Sequence, residues 1–177
     1  MNNEEVKIKG EIVYDGKIMK IHKDVVMCPN GKEAIREILH HNGGAGVLCL
    51  NDKNEVLLIR QFRYAYGETL YEIPAGKLEK GEDPYNAAKR ELEEETANKA
   101  DTLTPLGVIY PTCGYSDEKI YLYLANNTKI TKTHFDDDEF ITSAYYPLED
   151  VMKMIKDGVI KDAKTICAIN YYLMIEK

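Results

Sequence analysis

Gly76 to Asn98 reads GKLEKGEDPYNAAKRELEEETAN. Asp83 supplies a capping side chain, Pro84 suits the first helical position, and Ala87, Ala88 and Leu92 favour helix, so a helix is expected between Asp83 and Ala97. At about 100° per residue, Tyr85, Ala88 and Leu92 form one apolar stripe. Glu91, Glu94 and Glu95 then fall beside that stripe, at the edge of the core, while Glu93 points away. Four of the five residues from Glu91 to Glu95 are carboxylates, and like charges three and four apart on a helix repel by roughly a few tenths of a kcal/mol per pair. A solvated acidic face is one way to carry such a cluster; a bound cation is the other. Oxygen ligands of this kind suit Mg²⁺ or Mn²⁺, and no Cys or His stands beside them to favour zinc. Arg90, four residues before Glu94, is placed to orient that carboxylate through an ion pair.

Outward from this helix the signal is mostly strand. From Val6 to Val26 short apolar runs such as Ile12-Val13-Tyr14 alternate with turn signals at Gly10 and Asp15-Gly16, which predicts a small antiparallel unit. Pro29-Asn30-Gly31 is a further turn signal, followed by Ile35 to His40, by Gly43-Gly44-Ala45-Gly46 and by the buried-strand run Val47-Leu48-Cys49-Leu50. A turn at Asn51 to Asn54 and a second strand at Val56 to Ile59 make a hairpin, which Arg60-Gln61-Phe62-Arg63-Tyr64 either continues or leaves. Strands are expected again at Leu106 to Tyr110, Lys119 to Ala125 and Ile141 to Tyr146. Two helices close the chain, one starting after Pro147 and ending near Gly158 and one from about Lys161 that buries Ile166, Ile169 and Leu173. Mixed strands with helices on their faces define an α/β, or α+β, sandwich.

The 177 residues suffice for one domain of ordinary size with a small appendage, and 44% hydrophobic and 30% charged residues are those of a globular chain. A net charge of −7 disfavours a protein that coats nucleic acid, which needs clustered Lys and Arg. Cys28, Cys49, Cys113 and Cys167 match no CxxC metal knuckle and no dense disulfide pattern, so they are read as reduced thiols. The first residues, MNNEEVKIKGEIVYDGKIMK, hold no apolar stretch of signal-peptide length, and no segment approaches the roughly 20 apolar residues of a membrane span. A cytoplasmic location without a membrane partner is the expectation.

Gly76, Glu82, Arg90, Glu91, Leu92, Glu94 and Glu95 match the Nudix box, Gly-x5-Glu-x7-Arg-Glu-aliphatic-x-Glu-Glu-x-Gly-aliphatic, at seven fixed positions. Two positions depart from it: Ala97 stands where the family has glycine and Asn98 where it has an aliphatic residue. The likeness extends over most of the chain and is closest to the ADP-ribose pyrophosphatase branch. Pro29-Asn30-Gly31 before Arg36-Glu37, then Arg60 to Tyr64, then Glu72-Ile73-Pro74-Ala75-Gly76-Lys77 and Ser116-Asp117-Glu118 all resemble segments of that branch. Where the branch often reads Pro-Gly before its Ser-Asp-Glu segment, this chain has Cys113-Gly114-Tyr115.

The resemblance implies a Nudix-like α/β/α sandwich with a mixed sheet over residues 43–177, preceded by an antiparallel unit, residues 1–42, that serves dimerisation and substrate contact. It implies metal-dependent hydrolysis of the diphosphate of ADP-ribose to AMP and ribose 5-phosphate. Another nucleoside diphosphate-linked sugar as substrate, and a Nudix-shaped binding module without activity, are the alternatives. Glu91, Glu94 and Glu95 with the Ala75 carbonyl would hold the Mg²⁺ or Mn²⁺ ions; Gly76 would lie against the substrate, and Arg90 and Glu94 would serve catalysis. A carboxylate from a later loop assists in that branch, and the acidic run Asp136 to Glu139 offers Glu139 first and Asp137 second, each as base, with Glu139 also as metal ligand. Arg36 and Arg63 match arginines that reach phosphate or ribose, with surface salt bridges as the other reading. Tyr14 would stack on adenine or serve only as a structural tyrosine. The strands from Val6 to Val26 are too few to bury a sheet face unaided, so a two-fold homodimer that packs or exchanges them is expected.

Overall fold

The computed structural model describes residues 3–131 and 140–175. It divides into two compact units, one built from the chain up to Gly43 together with Tyr110–Lys119, the other from Gly44–Ile109 and the chain from Ile120 onward.

In the first unit β1 (Val6–Asp15), β2 (Met19–Met27) and β3 (Glu33–His41) form an antiparallel sheet in the order β1-β2-β3. The expected turn at Asp15-Gly16 is there, but Gly10 is no turn. It sits in the middle of β1 opposite Asp24, where a Cβ would overlap the Asp24 carboxylate. That carboxylate is buried and pairs with Lys7 at 2.8 Å. Tyr110–Lys119 joins this sheet through Leu39 N to Tyr115 O at 2.8 Å and Asp117 N to Leu39 O at 3.2 Å, a docking that nothing in its own composition announces. Every residue of β1 is exposed, including Val6, Ile8, Ile12 and Val13.

The second unit is organised by β4 (Gly44–Leu50), whose seven residues are all buried. Alternate side chains explain why: Ala45, Val47 and Cys49 pack with Ala87, Ala88 and Leu92 of α1 (Pro84–Thr96). Leu48 and Leu50 face the opposite way, toward Val151 of α2 (Leu148–Lys156) and Ala168 and Ile169 of α3 (Ala163–Ile175). A strand covered on both faces reads as a continuous apolar run, which is the pattern that Val47 to Leu50 shows. Around it lie β5 (Glu55–Arg63), β6 (Glu68–Glu72), β7 (Ala75–Lys77), β9 (Thr104–Ile109), β10 (Ile120–Asn126) and β12 (Ile141–Pro147). The main order is β12-β5-β4-β10-β9, with β6 on β5 and β7 on β4; β10 runs parallel to β4 and the other pairs are antiparallel. The sheet is therefore mixed, with α1 on one face and α2 and α3 on the other. A short ribbon pairs β8 (Asn98–Lys99) with β11 (Lys129–Ile130).

Helix α1 starts as its sequence dictates, with Asp83 Oδ1 accepting from Asn86 N at 3.1 Å and Pro84 in the first turn. Its end shows what the missing box glycine costs. Ala97 adopts φ 57°, in the left-handed region, while its N–H donates to Glu93 O at 2.9 Å. Alanine there carries a Cβ penalty that glycine escapes, offset in part by glycine's greater entropy in the unfolded chain. Ala97→Gly should thus stabilise the protein by about 0.5–1 kcal/mol and raise Tm by roughly 1–4 °C in thermal unfolding. A lower Tm would show that the methyl group contributes more by packing than it costs by strain.

Candidate active site

Residues Ala75 to Glu95 come together where β7 passes the buried face of α1. Glu95 is 2% exposed, and its Oε2 accepts from Ala75 N at 2.9 Å, so the helix is pinned to the strand that carries Gly76. Gly76 is required by close approach rather than by an unusual turn: a Cβ there would overlap the carboxylate of Glu91. Glu91 is 9% exposed, and both it and Glu95 lie deeper than the core's edge, where helical spacing put them.

Arg90 holds the cluster. Nη1 donates to Glu91 Oε1 at 2.8 Å and to Glu94 Oε2 at 2.9 Å, while Nε and Nη2 donate to Glu82 Oε1 and Oε2, each at 3.1 Å. Three carboxylates on one guanidinium is the compensation that the glutamate run demands. The hydrogen bond from Arg90 holds Glu82 below the usual carboxylate range, and the Glu82 hydrogen bond, against some loss from burial, raises the Arg90 pKa further. Glu82 is thus a member of the site that its box position marks but that spacing on the helix cannot reveal, since it precedes the helix. Glu93 turns outward and pairs with Lys99 at 3.1 Å.

The donors gathered here are hard oxygens, as a divalent cation of the Mg²⁺ or Mn²⁺ kind prefers. Among the described residues no three acidic, imidazole or thiol groups already converge as a cage; Arg90 engages Glu91 and Glu94, and the Ala75 amide engages Glu95.

The remaining residues expected from sequence lie on other elements. Arg63, at the end of β5, donates from Nε and Nη2 to Glu72 Oε1 and Oε2 at 2.6 and 2.7 Å, and 37% of its side chain is exposed. Glu72, 1% exposed, also pairs with Lys164. Burial pushes the Glu72 carboxyl up, yet Arg63 and Lys164 outweigh it and hold it below the usual range. Lys164 in turn reaches Asp162 at 3.0 Å, and Asp162 caps α3 by accepting from Thr165 N at 3.0 Å. Thr165 Oγ1 accepts from Ile73 N at 2.8 Å, which ties α3 to the segment leading into Ala75. Nothing local in the sequence joins Glu72 to a lysine 92 residues away. Arg36 and Tyr14 belong to the first unit: Arg36 Nε donates to Glu5 Oε2 at 2.9 Å, and Tyr14 is exposed on β1. Glu139 and Asp137 lie outside the described residues.

Fold and site together are those of a Nudix-type hydrolase, and comparison with known proteins agrees. The NUDIX domain family matches residues 40–169. An ADP-ribose pyrophosphatase of Bacillus subtilis (strain 168) is 39% identical over 175 residues, covering 98% of this chain and 95% of the relative. A methanol dehydrogenase activator of Bacillus methanolicus is 37% identical over the same 98% of this chain and 95% of its own. A solved structure described as an ADP compounds hydrolase superposes with a TM-score of 0.85 at 20% identity, covering 97% of this chain and 94% of that one, which shows the shared fold. This chain belongs to the NUDIX family. It is a hydrolase of that family, with the mixed sheet flanked by helices that the resemblance implied.

Proposed function

We propose that the protein hydrolyses the diphosphate of ADP-ribose, adding water across one P–O–P bond to give AMP and ribose 5-phosphate. The observation that carries this is the carboxylate cluster in which Arg90 clasps Glu82, Glu91 and Glu94, Glu91 lies against Gly76 and Glu95 holds the Ala75 amide. It occurs in a chain similar over nearly its whole length to a protein named ADP-ribose pyrophosphatase. Hydrolases of this family generally require a divalent metal. Here Glu91, Glu94, Glu95 and the Ala75 carbonyl would hold it as Mg²⁺ or Mn²⁺. Held there, it would supply charge to neutralise the diphosphate and to lower the pKa of an attacking water.

The chain's own residues supply the rest. Arg90 orients Glu91 and Glu94, and Gly76 keeps the strand beside Glu91 free of a side chain. Arg36 is assigned to substrate phosphate or ribose and Tyr14 to adenine, which its exposed ring supports; Arg63, the other arginine so expected, is gripped by Glu72, which favours a structural role. The exposed apolar side chains of β1 support a homodimer that covers them. The four cysteines are all unpaired, which supports a cytoplasmic setting, and among the described residues no helix is long and apolar enough to cross a membrane.

Two experiments test this. In a screen of nucleotide sugars with Mg²⁺ or Mn²⁺, kcat/KM should be highest for ADP-ribose, with AMP and ribose 5-phosphate identified by mass; a higher value for another nucleoside diphosphate sugar would reassign the substrate. Glu139→Gln should lower kcat more than it raises KM. A silent Glu139→Gln with a damaging Asp137→Asn would move the role within the acidic run, and silence in both would remove it from that run.

A further inference from the structure

We propose that Asn98 is a positioning residue: together with Thr128 and Tyr145 it fixes the last turn of α1, which carries Glu94 and Glu95, against the short strand β11. The proposal rests on the diphosphatase role of those glutamates. In the Nudix box this position is aliphatic, and a buried asparagine there is costly unless its amide is satisfied. Asn98 is 3% exposed, and both ends of its amide are used. Nδ2 donates to Thr96 O at 2.9 Å and approaches Thr96 Oγ1 at 3.3 Å. Oδ1 accepts from Thr128 Oγ1 at 2.8 Å and from Tyr145 OH at 3.0 Å. Because a carbonyl only accepts, the Thr96 contact fixes which end of the amide is nitrogen. Burial pushes the Tyr145 hydroxyl up to about 12, so it stays a neutral donor.

The consequence reaches the catalytic helix from both sides. Thr96 Oγ1 donates to Leu92 O at 2.5 Å and accepts from Asn98 N at 3.3 Å, which closes the turn containing Glu94 and Glu95. Across the ribbon Asn98 pairs with Ile130, and Ala97 O accepts from Thr131 N at 2.7 Å and Thr131 Oγ1 at 3.2 Å. The exit of the helix and the end of β11 are therefore one hydrogen-bonded body, with Asn98 and the hydroxyls of Thr128 and Tyr145 at its centre. Where the family uses glycine and an aliphatic side chain to leave the helix, this chain uses a left-handed alanine and a polar staple.

The test compares Asn98→Leu, which restores the family's aliphatic residue, with Thr128→Val/Tyr145→Phe, which removes both donors to Oδ1, and with Thr128→Ser, which keeps both. With ADP-ribose the first two should lose about tenfold in kcat, since small displacements of reacting groups are expensive, while KM stays within about twofold. Thr128→Ser should retain wild-type values. Amide hydrogen exchange should quicken from Leu92 to Ala97 and from Lys129 to Thr131 and remain unchanged in β4. A folded Asn98→Leu or Thr128→Val/Tyr145→Phe protein with unchanged kcat, or with KM altered as much as kcat, would overturn the proposal. If Asn98→Leu fails to fold, the double variant decides. If the wild-type protein itself leaves ADP-ribose intact, the functional reading fails instead, and the exchange pattern alone then decides the structural half of the proposal, uniform or absent change overturning it.

Discussion

Glu95→Gln is expected to fold normally and to lose at least about a hundredfold in turnover, the scale seen when one electrostatic element of a catalytic site is removed. The fold should survive because the amide oxygen of glutamine can still accept the Ala75 N–H, which Glu95 now takes at 2.9 Å. What it loses is the charge, on a side chain almost wholly out of solvent and therefore barely screened. Glu94→Gln should behave alike, since glutamine preserves an acceptor for Arg90 Nη1. Wild-type turnover in both folded variants would remove the helix carboxylates from the chemistry. A large fall in Tm without a specific loss of kcat would make the cluster structural.

The second large effect concerns stability. Glu72→Ala should cost about 3 kcal/mol, the low end of the range for breaking a buried ion pair, since Lys164 keeps Asp162 while Arg63, 37% exposed, loses its carboxylate. Arg63 and Lys164 both converge on Glu72, and Lys164 is only 11% exposed along its side chain. In thermal unfolding the fall in Tm should be on the order of 10 °C. A pH signature accompanies it. The Glu72 carboxyl is held below its usual 4.5, so its contribution is complete above that value and is lost as the pH falls through the lower, folded-state value. The wild-type protein should therefore lose stability in acid more steeply than Glu72→Ala does. Parallel acid profiles, or a loss under about 1 kcal/mol, would show that the clamp contributes little beyond geometry.

Much of this architecture is legible in the sequence because it follows from short-range rules. The capped helix after Asp83, the doubly buried run at Val47 to Leu50 and the helices after Pro147 and Lys161 each announce themselves by local pattern. The strands β6 and β7 do not. Glu68–Glu72 is polar at both ends and Ala75–Lys77 is three residues long beside a proline; they become strands only by pairing with β5 and β4. The site divides in the same way. Glu91, Glu94, Glu95 and Arg90 share a helix face and can be grouped by periodicity, whereas the union of Glu72 with Lys164 depends on how α3 docks. Asn98 illustrates a subtler limit: as a departure from the box it reads as a defect at the helix exit, and only Thr128 and Tyr145, distant in sequence, show that its amide is fully used. Gly10 sits within a strand rather than at a turn for a related reason, since the Asp24 carboxylate that a side chain there would meet comes from another strand.

The most direct test of the central claim is the release of AMP from ADP-ribose by the purified wild-type protein before and after chelation of divalent cations. The account predicts AMP and ribose 5-phosphate in equal amounts, loss of the reaction with EDTA, and recovery when Mg²⁺ or Mn²⁺ is restored in excess. Release of AMP at an unchanged rate in EDTA, or a folded protein that leaves the diphosphate bond intact with either metal, would contradict it.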